Sequence, residues 1–240
     1  MQQKLSSTPL RAPVNVTWEV TEACNLRCSH CLSAGLQSGR GELDLEQCRA
    51  LIDELARMEV FQVNFGGGEP FLRTDFLDIL AHCHSRGITT CVSTNGTVLT
   101  DGLIDELLGM PPVYLQVSLD GGCAETNDAI RGRGTFARIL GGIELLAARG
   151  YANLSLNMVV TRLNVSEIPD FDRLARHYGA KTRLSRFRPS GAGCERWEDY
   201  RLAQNQLLAL SAFLGDHPEI LTGDSFFALS PTHRRVLGLD

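Results

Sequence analysis

No stretch of the chain approaches the ~20 consecutive apolar residues that span a bilayer, and residues 1–13 contain no apolar run of the kind that directs export. These absences predict a cytoplasmic protein with no membrane partner. Basic residues are also in short supply: 23 Lys and Arg against 28 Asp and Glu leave a net charge of −5. Binding to a phosphate backbone needs a basic face, so nucleic acid is excluded as the main partner. No linker-like or low-complexity segment interrupts the 240 residues, which predicts one domain with a sizeable core. What the sequence does have is cysteine, eight in all. A reducing cytoplasm disfavours a disulfide framework, so metal binding or redox chemistry becomes the expectation.

Short β-branched runs alternate with amphipathic helical stretches from residue 14 to about residue 213, the signature of βα units on a mostly parallel sheet. Strands are expected at residues 14–20, 60–65, 88–93, 113–119, 154–160 and 182–187. Helix starts are expected at Asp44 with Gln47 three residues on, at Thr74, at Thr100 and at Ser166. Thr17 and Glu19 alternate with Val16, Trp18 and Val20. Gln62 and Asn64 alternate with Phe61, Val63 and Phe65, and Ser155 and Asn157 with Leu154, Leu156 and Met158. The apolar face must meet covering helices, which leaves a polar inner face. The expected architecture is α/β: a partial (β/α)6 barrel of parallel strands and outer helices, open enough to hold a ligand.

The chemistry-bearing residues fall at strand ends. Cys24, Cys28 and Cys31 form a C-x3-C-x2-C run directly after the first strand. Three thiolates on one loop are soft ligands for an iron–sulfur cluster with one open iron, or for a Cys3His zinc site that uses His30. The second strand runs into Gly66-Gly67-Gly68-Glu69-Pro70, which suits either an ammonium group or a tight strand-to-helix turn. A phosphate loop is disfavoured by Glu69 and by the lack of a following Lys-Ser or Lys-Thr. Ser93 and Asn95, Ser118 and Asp120, residues 161–164 and residues 186–191 end the remaining strands. In parallel α/β folds, ligand and catalytic groups gather at this end of the sheet.

Together these residues resemble the radical S-adenosylmethionine (SAM) enzymes over about residues 14–193. The pattern is the cysteine run with an aromatic residue, His30, before its third cysteine, followed one βα unit later by Gly67-Gly68-Glu69-Pro70. The resemblance implies that Cys24, Cys28 and Cys31 hold a 4Fe-4S cluster whose open iron SAM chelates. The cluster's electron would cleave SAM to methionine and a hydrogen-abstracting 5'-deoxyadenosyl radical. It also implies that Gly67, Gly68 and Glu69, in the turn from Gly66 to Pro70, receive the SAM ammonium. By the same resemblance His30 belongs to the cofactor-binding set, Ser93, Asn95, Ser118, Asp120 and Arg131 lie around the methionine carboxylate and ribose, and Asn157 and Val159 flank the ribose and adenine. Cys48, Cys83, Cys91, Cys123 and Cys194 match no motif and are expected to be small buried apolar residues.

Residues 17–19, 65–70, 127–132, 188–191 and 221–227 are similar to a narrower group, the peptide-modifying radical SAM enzymes with a cysteine-rich C-terminal SPASM extension, in its mycofactocin-type branch. This implies a ribosomal precursor peptide whose C-terminal tyrosine is oxidatively decarboxylated and later joined to valine. It also implies a small leader-binding chaperone protein and a reductant or electron-transfer protein as partners. Alternatives are another SPASM-type maturase or splicease, or a zinc-stabilised module that binds a peptide without catalysis. No cysteine follows Cys194, so residues 13–215 are expected to form the core barrel and residues 216–240 the start of an absent SPASM extension.

Overall fold

The computed structural model describes residues 12–34 and 41–222. Seven strands form one sheet in the order in which they occur in the chain: β1 (Asn15–Thr21), β2 (Gln62–Gly67), β3 (Thr89–Thr94), β4 (Val113–Ser118), β5 (Leu154–Val160), β6 (Lys181–Arg186) and β7 (Leu221–Thr222). Every neighbouring pair is parallel. Between them run α1 (Leu45–Arg57), α2 (Phe76–Ser85), α3 (Asp101–Leu108), α4 (Ala124–Arg131), α5 (Thr135–Ala148) and α6 (Ile168–His177). After β6 come α7 (Trp197–Tyr200) and α8 (Gln204–Asp216). Among the described residues β1 and β7 are not paired, so the barrel is open at that seam. No helix among them is long and apolar enough to cross a membrane.

The six expected strands are present within two residues at their ends. The seventh, β7, was not expected. Its two residues carry too little pattern to stand out, and they pair with Arg183 and Leu184 in a stretch assigned by sequence to the tail. Of the phrase at residues 221–227, the rest lies outside the described residues. Two helix starts also differ. The second begins at Asp75 rather than Thr74, and Ser166 sits inside a single 3-10 turn, Val165–Glu167, that leads into α6 without a side-chain cap. Asp44 and Thr100 do cap, each accepting from the backbone N–H three residues on, and Gln47 completes the reciprocal box at α1.

The alternation sorts the sheet's two faces. Val63, Phe65, Val92, Val117, Leu156, Met158 and Leu184 are buried beneath Ile52, Ile79, Ile104, Ile143 and Phe171 of the helices. Phe65 stacks obliquely on Trp18 with ring centroids 5.6 Å apart and meets the edge of Phe76 at 5.4 Å. Phe61 departs from the expected pattern: it precedes β2 and is 65% exposed. On the opposite face Thr17, Glu19, Ser93, Gln116, Ser118 and Asn157 line a cavity.

Phe65→Ala should therefore destabilise the fold by about 3–5 kcal/mol, because it empties a fully buried ring site. Phe61→Ser should stay within about 0.5 kcal/mol of the parent. Urea unfolding of the two variants checks the assignment of faces, and equal losses would contradict it.

Candidate functional site

Cys24, Cys28 and Cys31 leave the C-terminal end of β1 and are free and half-buried. All three line one cavity of about 550 Å³ at that end of the sheet, a size typical of small-molecule sites. Their loop is fastened from several sides. Ser29 donates its N–H to the Ile130 carbonyl at 2.9 Å, and its hydroxyl lies 2.7 Å from Tyr200 Oη. Ala192 donates its N–H to the Cys31 carbonyl at 3.0 Å. Gly191 is needed for that contact: its φ is +57°, and a Cβ there would sit 2.5 Å from the carbonyl oxygens of Cys31 and Leu32. Upstream, Glu42 accepts from Thr21 Oγ1 at 2.9 Å and from the Glu22 N–H at 2.7 Å. Half-buried Arg73 donates to the carbonyls of Val20 and Leu43.

The glycine run packs backbone against backbone. The Gly68 N–H donates to the Thr21 carbonyl and the Glu69 N–H to the Ala23 carbonyl, both at 2.7 Å. A Cβ on Gly68 would fall 2.1 Å from Ala23 O, and Gly67 has φ +114°. Glu69 itself is fully buried. Its carboxylate accepts from the Asn95 N–H at 2.6 Å, from Thr94 Oγ1 at 2.8 Å and from the Phe71 N–H at 3.3 Å. Burial pushes its carboxyl above the ordinary range, although those three donors pull the other way. Glu69 thus ties the turn after β2 to the end of β3.

A second buried carboxylate, Asp120, follows β4. Its Oδ2 lies 2.7 Å from Arg131 Nε and 2.9 Å from His30 Nε2, and its Oδ1 accepts from the Val159 N–H at 2.8 Å. Burial opposes its ionisation, but the charge of Arg131 and then His30 outweigh it and hold the carboxyl down at about 2. Burial also pushes the Cys28 thiol up to about 11, with Arg131 pulling it back. Cys48 and Cys83 are buried in the core as expected, whereas Cys91 is half-buried and Cys123 and Cys194 are exposed, because they fall on the inner strand face and on surface turns.

Of the residues singled out by sequence, Cys24, Cys28, His30, Cys31, Gly66, Gly67, Gly68, Ser93, Asn95, Ser118, Arg131, Asn157 and Val159 all line this cavity. Glu69, Pro70 and Asp120 are buried and stand behind its wall. Sequence reasoning missed Arg73 and Glu42, which carry no motif, and the inner-face residues Gln116, Arg183 and Ser185. The strand alternation could have found the last three. His30, the fourth ligand of a Cys3His zinc site if one formed, directs its Nε2 to Asp120 at 2.9 Å. The donor set fits a cluster and an organic ligand. Three soft thiols share a cavity with hydroxyl, amide and guanidinium groups, and His30 Nδ1 is buried there without a partner.

An open parallel barrel with three thiols on the loop after its first strand is the core of a radical SAM enzyme. The family model of the Radical SAM superfamily matches residues 18–175, and the chain belongs to that superfamily, whose members use a 4Fe-4S cluster and SAM. Within it, the chain is 46% identical over 223 residues to the mycofactocin maturase MftC of Mycobacterium ulcerans and 44% identical over 223 residues to that of Mycobacterium tuberculosis. These matches cover 92% of the chain but 60% and 57% of the two maturases, so the chain spans less than two thirds of their length. Among solved structures, Streptococcus suis SuiB bound to S-adenosylmethionine superposes with a TM-score of 0.74 at 15% identity, covering 91% of this chain and 52% of SuiB. That likeness establishes the fold.

Two outcomes follow from the buried carboxylates. Asp120→Asn leaves Arg131 buried without its counter-charge and should cost about 3–5 kcal/mol. An acid held below its ordinary value of 3.8 binds fewer protons folded than unfolded. Its contribution is therefore complete above about pH 4 and lost as pH falls toward about 2. The stability gap between parent and Asp120→Asn should narrow over that window, and a constant gap would contradict the assignment. Glu69→Gln puts an NH2 group where backbone N–H donors need an acceptor, so denaturant unfolding should show a loss of about 1–3 kcal/mol. No loss would remove Glu69 from its role as a tie.

Proposed function

We propose that this chain is a radical SAM peptide maturase of the mycofactocin type, which oxidatively decarboxylates the C-terminal tyrosine of a ribosomal precursor peptide. The observation that carries the reading is the convergence of three cysteine thiols and the polar ends of the strands on one cavity. Its support from relatives is the 46% identity to a mycofactocin maturase. The precursor peptide as partner is also supported by the solved structure of SuiB bound to its precursor peptide SuiA. A small leader-binding chaperone protein and an electron-transfer protein complete the set of partners. The cytoplasm is the fitting compartment, because it keeps the three thiols reduced.

Cys24, Cys28 and Cys31 would hold the 4Fe-4S cluster. Ser93, Asn95, Ser118, Arg131, Asn157 and Val159, with His30 and the backbone of residues 66–68, would surround SAM. When bound, the pair supplies one-electron cleavage of SAM and a radical able to take hydrogen from substrate. The protein's own contribution is placement. Ser29, Gly191 and Ala192 fix the cysteine loop, Asp120 orients His30 and Arg131, and Glu69 sets the glycine turn against β3. Residues 13–215 would be the core barrel, joined by β7 of the following segment, which would lead into a SPASM extension.

Anaerobic reconstitution should give a brown protein. Cys24→Ala, Cys28→Ala and Cys31→Ala should each lose the cluster, while Cys48→Ala and Cys83→Ala keep their iron. Equal loss in the second pair would overturn the ligand assignment. With dithionite, SAM, the chaperone and a tyrosine-terminated precursor, the peptide should lose about 46 Da, CO2 plus two hydrogens, in step with 5'-deoxyadenosine. Formation of 5'-deoxyadenosine with no change in peptide mass would overturn the decarboxylation.

A further inference from the structure

Five arginines, Arg27, Arg131, Arg183, Arg186 and Arg188, line the cavity against two glutamates, Glu19 and Glu22, in a chain of net charge −5. The lumen therefore reverses the sign of the molecule as a whole, a distribution that concentrates anions inside it. Most of these cations are already engaged. Arg131 pairs with Asp120, Arg27 donates to the carbonyls of Cys24 and Leu26, and Arg186 and Arg188 have partners of their own. Arg183 differs. It is half-buried on the inner face of β6, in register with Asn157 of β5, and no carboxylate among the described residues pairs with it.

A half-buried guanidinium is poorly satisfied without an anion, and its planar fork matches a carboxylate in two-point contact. A cavity of about 550 Å³ is sized for a small molecule, and the terminal residue of a polypeptide is a group of that size. Of the two ends, the ammonium is repelled by the arginines and the carboxylate is attracted. We propose that Arg183 is the specificity-determining residue for substrate, pairing with the α-carboxylate of a peptide whose C-terminal residue enters the lumen. The inference rests on the peptide-maturation reading above. It also accounts for release: once the carboxylate leaves as CO2, the product has lost this contact.

The test measures binding by the full chain, reconstituted anaerobically, to a fluorescent peptide ending in tyrosine as the free acid or the C-terminal amide. The parent should bind the acid at least tenfold more tightly than the amide. Arg183→Gln should bind both as the parent binds the amide, and Arg183→Lys should recover part of the difference. Equal parent affinities, or an acid-to-amide ratio unchanged in Arg183→Gln, would overturn the proposal. A second measurement does not depend on the peptide. In the 15N-labelled parent, the arginine Hε resonance that is missing from Arg183→Gln should shift with N-acetyltyrosine and stay fixed with its amide. A shift with the acid but no peptide binding would refute the peptide reading and retain Arg183 as a carboxylate site. No shift would refute Arg183.

Discussion

The site depends on one buried carboxylate. Asp120 carries no surface exposure, yet it touches the cysteine loop through His30, the end of α4 through Arg131 and the end of β5 through the Val159 N–H. Its own backbone is held as well, by Asn127 at the N–H and by Asn164 at the carbonyl. Desolvating such a group is costly, and the attraction of Arg131 largely offsets that cost rather than adding net stability. What the arrangement supplies is geometry, since a displaced partner would leave a buried charge without compensation. The cysteine loop meets this arrangement through His30.

The same device recurs at two other joints. Glu69 gathers Asn95, Thr94 and Phe71, and Glu42 gathers Thr21 and Glu22. In each case a carboxyl group accepts backbone N–H groups that a strand end or tight turn would otherwise leave unpaired. Glycine works alongside them. At Gly68 and Gly191 any Cβ would fall within 2.5 Å of a carbonyl oxygen of the cysteine-bearing segment, residues 23–32. Carboxylate ties from one side and close backbone contacts from the other leave the loop between β1 and α1 few alternatives.

Much of this was legible in the sequence because it is periodic or local. Alternation in residues 16–20 and 62–65 assigned a polar inner face, and cysteine spacing with the glycine turn marked two of the strand ends that meet at the cavity. The parts that escaped are long-range. Nothing local to Glu69 distinguishes a carboxylate facing a ligand from one facing Thr94 and Asn95, because the difference depends on how β2 and β3 are placed together. Thr74 and Ser166 look like helix caps, but Ser166 falls inside a 3-10 turn and Thr74 in the turn that links the 3-10 helix Pro70–Leu72 to α2. Strand β7 is too short to carry a period. Arg73 and Glu42 belong to no motif, and only the fold brings them beneath the cysteine loop.

An open lumen lined with polar side chains is a poor way to stabilise a barrel, and the structure answers by separating the two tasks between the faces of one sheet. The outer face carries the apolar contacts of Phe65, Leu156, Leu184 and their helices, where burial removes hydrocarbon from water at roughly 25 cal/mol per Å². The inner face is then free to carry hydroxyls, amides and guanidinium groups whose packing contributes little to folding. Because side chains alternate at every residue, neither task constrains the other. Ser93, Gln116 and Arg183 line the lumen without entering the core beneath it. The exceptions are Glu69, Asp120 and Arg131, which are buried like core residues and charged like site residues. At those three positions burial and a titratable group fall on the same atoms, so a substitution that removes the group acts on stability directly.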